Sequence, residues 1–234
     1  MKNTILIMLS LGYSFIHAQY FMPPLDEGIG LTTAKEVYVV TNIGDTIRGK
    51  ITTSVAISGK LKSFTIKSGE VKHRIKAKEA RLLAVKPNEM IKWVSAMTNS
   101  SLEKILKTNY EAMNKREWVY FEQALLPKKK DKYAFLQLLN PGFDSKIKVY
   151  LDPNAEQTGG WSVGPHQLTG GEDKSYLVVF EGGKSELYKK KKYKKEALGK
   201  LFKNCDVFKE YYGDERFRWE NFSEHVFVYD NLCN

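Results

Sequence analysis

Ser162 sits in Gly160-Trp161-Ser162-Val163-Gly164, the spacing of a serine nucleophile held on a tight turn between a strand and a helix. His225, with Asp206 or Asp214, follows in an order a catalytic triad could use. The surrounding residues do not fit that use. Asp152 to Gly159 reads as loop, and Pro165 and Gly170-Gly171 prevent a long helix after Ser162. No alternation of strands with crossover helices is visible to build the parallel sheet such a nucleophile stands on. Ser162 is therefore expected in a glycine-rich surface loop.

Asp152, Asn154 and Glu156 have the 1, 3, 5 spacing of oxygen ligands in a calcium loop. Position 6 is then Gln157 instead of glycine, and position 12 is Val163 instead of a bidentate glutamate, so a polar turn is the better reading. His17, His73, His166 and His225 form no H-x-x-x-H or H-E-x-x-H pair. His73 falls on the apolar face of a strand, where a satisfied imidazole is more common than a ligand. No glycine-rich turn followed by Lys-Ser/Thr is present to cradle a nucleotide phosphate. Neither a metal nor a cofactor is expected.

The lysine runs are the most conspicuous chemistry. Lys189, Lys190, Lys191, Lys192, Lys194 and Lys195 are interrupted only by Tyr193, and Lys128, Lys129 and Lys130 form a second cluster. Together with Lys2 they account for the whole net charge of +10. The runs have two readings. One is a solvated strand-to-helix junction whose charge also keeps sheet edges apart. The other is contact with an anionic partner such as envelope lipid, lipopolysaccharide or acidic glycan. Nucleic-acid binders often carry a basic surface throughout, and here the remaining residues are formally neutral.

The first residues explain why an envelope partner is in view. Met1-Lys2 is a positive start, Ile5 to Ile16 is mostly apolar and uncharged, and Ile16-His17-Ala18 ends on a small residue. This predicts a secretory signal peptide over 1–18, cleaved before Gln19. The run is too short to span a bilayer, so no transmembrane span is expected in the mature chain. Export favours a structural disulfide between Cys205 and Cys233, with two free thiols as the alternative.

The chain has 234 residues, 42% of them hydrophobic and 12% aromatic, enough for a folded core of one-domain size. Residues 19–35, with Pro23-Pro24, read as an extended leader. Residues 36–190 read as a β-rich domain. Glu36–Thr41 and Thr46–Thr53 flank the turn residues Asn42 to Asp45, and Leu61–Lys67 and Val71–Ile75 flank Ser68-Gly69. Val71, His73 and Ile75 alternate with Lys72, Arg74 and Lys76, the pattern of a sheet with one wet face. Ile91–Met97, Glu117–Leu126, Tyr133–Leu139, Lys146–Leu151, Ser175–Phe180 and Lys184–Lys189 continue the series. Tyr176–Phe180 is apolar on both faces and is expected to be a central strand. Short connections require antiparallel pairing.

Ser100-Ser101-Leu102-Glu103 resembles a capping box and predicts a helix near 100–114. Residues 191–234 read as a helical tail packed on the β domain. The fold class is thus α+β and mainly antiparallel: a meander sheet, sandwich or partly closed barrel, one inserted helix and a small helical tail. In the tail Phe208, Tyr211, Tyr212, Phe217, Trp219, Phe222, Phe227 and Tyr229 either line a groove or, for about half of them, pack on the sheet.

Gly44-Asp-Thr-Ile-Arg-Gly49 near the start, with Gly183-Lys-Ser-Glu-Leu-Tyr188 and Leu201-Phe-Lys-Asn-Cys-Asp206 near the end, resembles a family of uncharacterised exported proteins common in Bacteroidota. The likeness covers roughly a third of the chain. It implies a secreted or periplasmic protein with a β-rich body and a small helical tail, and it carries no catalytic residues. The expected function is a non-catalytic binding or structural module of the cell envelope. The alternatives are a periplasmic hydrolase, or a peripheral protein held on anionic lipid or lipopolysaccharide by the lysine runs.

Overall fold

The computed structural model describes residues 20–98, 116–126, 132–159, 162–163, 166–167, 171, 173–180, 185–213 and 217–233. The expected helix near 100–114 and Lys128, Lys129 and Lys130 lie outside these residues.

The β-rich body closes on itself. Strands β1 (Glu36–Thr41), β2 (Thr46–Ile57) and β3 (Lys60–Ser68) form one meander, and β5 (Ala80–Lys86), β6 (Val119–Leu125) and β7 (Tyr133–Gln137) form another. The meanders join antiparallel along both edges, β1 with β5 and β3 with β7, giving a six-strand closed barrel. The seventh strand, β4 (Val71–Lys76), pairs with β3 alongside the closure. Gly44 and Gly69 take positive φ in the turns that follow β1 and β3, as expected of glycine between alternating strands. Inward residues Val39, Leu61, Phe64, Ile66, Leu83, Phe121 and Phe135 fill the barrel.

A second sheet lies against the barrel wall. It consists of β8 (Ile147–Leu151), β11 (Ser175–Phe180) and β12 (Glu186–Lys189), with β11 in the centre. The apolar faces of β11 now separate. Leu177 packs with Tyr150 against Ala134, Leu136 and Ala124 on the outside of the barrel. Tyr176 and Val178 pack against the helical tail. The molecule is therefore layered as barrel, sheet and helices, and β11 is apolar twice because it is covered twice.

The tail comprises α3 (Lys190–Glu196), a π-helical turn (Ala197–Leu201), α4 (Asp206–Tyr212), a 3₁₀ turn (Trp219–Asn221) and α5 (Phe222–Leu232). A disulfide joins Cys205, just before α4, to Cys233, just after α5. Six of the eight tail aromatics are buried; Phe227 is half-buried and Tyr211 is exposed.

Two expectations need correction. Ile91–Met97 is not a strand: Glu89–Thr98 is a helix, α2. Asn88 Oδ1 accepts the Ile91 N–H at 2.8 Å, the bond of an N-capping residue, and Glu89 favours the first turn. Nor are residues 19–35 wholly extended. Ile29–Thr32 forms a helical turn, α1, and the segment is built into the core. Tyr20 stacks on Phe227 of α5 at 4.2 Å, Phe21 joins the tail core, and Met22, Leu25 and Leu31 join the barrel core. Buried Gln137 holds the crossing, its Oε1 accepting the Leu25 N–H and its Nε2 donating to the Pro23 carbonyl, each at 2.8 Å.

Candidate functional site: a lysine-lined recess

The end of β12 and the start of β11 lie side by side, with Lys189 opposite Ser175. The chain then turns directly into α3, and the Lys190 N–H donates to the Lys174 carbonyl at 2.9 Å. Lys174 in turn donates its N–H to the Glu156 carbonyl at 2.7 Å. These contacts bring Lys174, Lys189, Lys190 and Lys191 around one recess of about 490 Å³, closed on its other side by Asn154 and Glu156. That size suits a small ligand or the headgroup of a larger one.

The loop that closes the recess is held by Asp152, which is buried. Its Oδ1 accepts the Asn154 N–H at 3.1 Å and its Oδ2 accepts the Ser175 hydroxyl at 2.7 Å. Both oxygens are thus committed to loop geometry, and Glu156 pairs with Lys174 at 3.2 Å. The Asp152-Asn154-Glu156 spacing therefore serves the recess wall, as a polar turn would. Among the described residues no group of three or more His, Cys, Asp or Glu could hold a metal ion. The tip of the β2–β3 hairpin abuts the same loop: a Cβ on Gly59 would lie 2.4 Å from Pro153.

The charges in the recess do not cancel. Lys174 is paired with Glu156, and Lys190 reaches Glu220 at 2.6 Å. Burial pushes the Glu220 carboxyl up, but the hydrogen bond from Lys190 and the attraction of Lys190 and Arg218 prevail and hold it below the usual carboxylate range. Lys189 and Lys191 are exposed and make no ion pair with any described residue. Two ammonium groups are therefore free to meet an anion entering beside Lys174.

The lysine run is split by the fold. Tyr193, the residue that interrupts it, is buried and faces the tail core, where its hydroxyl bonds to His225 Nδ1. Lys192 leans on Glu196 at 3.7 Å, and exposed Lys194 and Lys195 do not line the recess. Lys174 was not singled out by sequence. A two-residue turn at Gly182-Gly183, as the sequence suggests, would put Tyr176 opposite Lys189; the observed register is one residue off, with Ser175 opposite Lys189, and only the structure brings Lys174 to the recess.

Ser162 does not stand on a strand-to-helix turn. Ser162–Val163 is a two-residue strand, β9, paired with β10 (His166–Gln167), Ser162 opposite Gln167. No helix of the described residues is long and apolar enough to cross a membrane. No protein-family model, curated protein or solved structure matches the chain.

Proposed function

We propose that the protein is an exported, non-catalytic binding module of the cell envelope that takes an anionic group into the recess between β12, α3 and the Asp152–Glu156 loop. The ligand chemistry is a phosphate or carboxylate carried by a glycan or a lipid headgroup. The observation that carries this reading is the convergence of four lysines on one concave site, with Lys189 and Lys191 uncompensated. Such a site attracts anions and orders them through short ammonium contacts. The positive apolar start of the chain and the Cys205–Cys233 bond support export.

Titration calorimetry with a soluble phosphorylated disaccharide, and co-sedimentation with phosphatidylglycerol vesicles, test it at low salt and distinguish the two sources. Lys189→Ser/Lys191→Ser is expected to weaken binding about tenfold, two exposed contacts of somewhat under 1 kcal/mol each. Unchanged affinity in the variant, or no binding of either probe by the native protein, overturns the reading.

A further inference from the structure

The outer face of β2–β3–β4 gathers a second set of cations, distant in sequence from the lysine runs. Pairing puts Lys50 directly opposite Lys67, and Lys67 directly opposite Lys72. Three ammonium-bearing residues thus form one row across three strands, about 10 Å from end to end at ordinary strand spacing. Strand alternation adds Arg48 beside Lys50 on β2, and Arg74 and Lys76 beyond Lys72 on β4. All are exposed except Lys67, which is half-buried. Two carboxylates answer them: Glu70 pairs with Lys67 at 3.4 Å, and Glu79 accepts the Lys76 backbone N–H at 3.0 Å. Lys50 and Lys72 make no ion pair with any described residue.

The row cannot relax by slipping. A one-residue shift would turn Ile51, Ile66 and Ile75 out of the barrel. Gly49 pins the register further, since a Cβ there would lie 2.0 Å from the Lys67 carbonyl oxygen. Like charges directly opposite on a sheet destabilise it, so the row is a local cost the fold retains. Guarding a sheet edge explains lysine on β4, whose second edge pairs with no described strand. It does not explain Lys67, where β3 is paired with β2 on one side and β4 on the other; Lys50 pairs with β3 alone, the β1 pairing ending at Gly49.

We propose that this face binds a linear anionic polysaccharide, with successive sulfate or carboxylate groups along Lys50, Lys67 and Lys72. Thr53 and Thr65, hydrogen-bonded to each other at 3.0 Å in the next row with Arg74, meet the sugar hydroxyls. Cations interspersed with hydroxyls fit such a polymer. A bilayer would need apolar anchors among the cations, whereas exposed Val55 and Ile57 stand further along β2, beyond the Thr53–Thr65 pair; a single-stranded nucleic acid would need free aromatic platforms. Tyr38, opposite Arg48 on β1, is already covered by the Arg48 guanidinium at 5.1 Å.

Binding of heparin, phosphatidylglycerol vesicles and an oligothymidylate to the full chain tests this across a salt series. Heparin is expected to bind, with log affinity falling linearly as log salt rises. Lys50→Ser/Lys67→Ser/Lys72→Ser should reduce that slope by about three and weaken low-salt binding by roughly tenfold or more. Its thermal midpoint at low salt should rise, because the repulsion is gone. Should the triple variant misfold, Lys50→Gln alone should still reduce the slope by about one. Lys189→Ser/Lys191→Ser should leave heparin binding unchanged, which separates this surface from the recess. Equal slopes in native and Lys50-substituted proteins, loss of heparin binding through the recess variant, or binding to vesicles or oligothymidylate without heparin each overturns the proposal.

Discussion

Single side chains show how burial and partners reset ordinary chemistry in this chain. Glu27 is half-buried near the start of β3. Burial and the neighbouring Asp26 raise its carboxyl to about 7, against the attraction of Lys60 and a backbone bond at Leu61. A carboxyl raised in the folded state favours folding while protonated and opposes it once ionised. Its contribution is therefore fully present below the unfolded value near 4.5 and is lost as pH rises through about 7. Glu27→Gln should raise the denaturation midpoint at pH 8 and leave it near native at pH 4.5; the same shift at both pH values would contradict this. Sequence spacing offered no sign of Glu27, since its shift comes from what the 20–35 segment packs on. The lysines at 189–191 were legible as a group, but Lys174 joins them only through the pairing of β11 with β12.

Elements follow local rules where their signals are local. The hairpins around Gly44 and Gly69 form where turn residues and strand alternation predict them. The α2 sequence suits either period over so short a run, since Ile91, Trp93 and Met97 fit a strand's alternation and Ile91, Val94 and Met97 fit helical spacing; the capping Asn88 is the signal that decides. The tail is a set of short helices, each too short to persist alone, so it depends on packing and on the Cys205–Cys233 bond across 28 residues. Cys205→Ser/Cys233→Ser should lower stability by about 3 to 4 kcal/mol in the chain-entropy account. Chemical denaturation measures this, and thiol labelling of the native, non-reduced protein should find no free cysteine.

The whole molecule is held as three layers by contacts remote in sequence. The segment beginning at Tyr20 crosses all of it, stacking on α5, passing Leu139 at the sheet junction and ending in the barrel core. Phe21 is the central pin, meeting Phe143, Tyr176 and Phe222. Phe21→Ala should cost about 3 kcal/mol. Far-UV and near-UV circular dichroism should still report one transition if barrel and tail unfold together; a midpoint unchanged from native would refute the pinning role.

The amino-acid order alone determined the antiparallel strands, the turns between them, the central place of β11 and the helical tail. Each of these rests on alternation, turn chemistry or helical spacing within a dozen residues, and such preferences act before distant parts of the chain meet. The tertiary structure alone decided that two meanders close into a barrel, that one sheet is covered on both faces, and that the segment before β1 is core. It also changed the meaning of the charge. Counting placed the excess of +10 in Lys2 and two runs and left the rest neutral. Strand register then lined up Lys50, Lys67 and Lys72, with Glu70 paired to Lys67. A sum over residues has no geometry; pairing between strands supplies it.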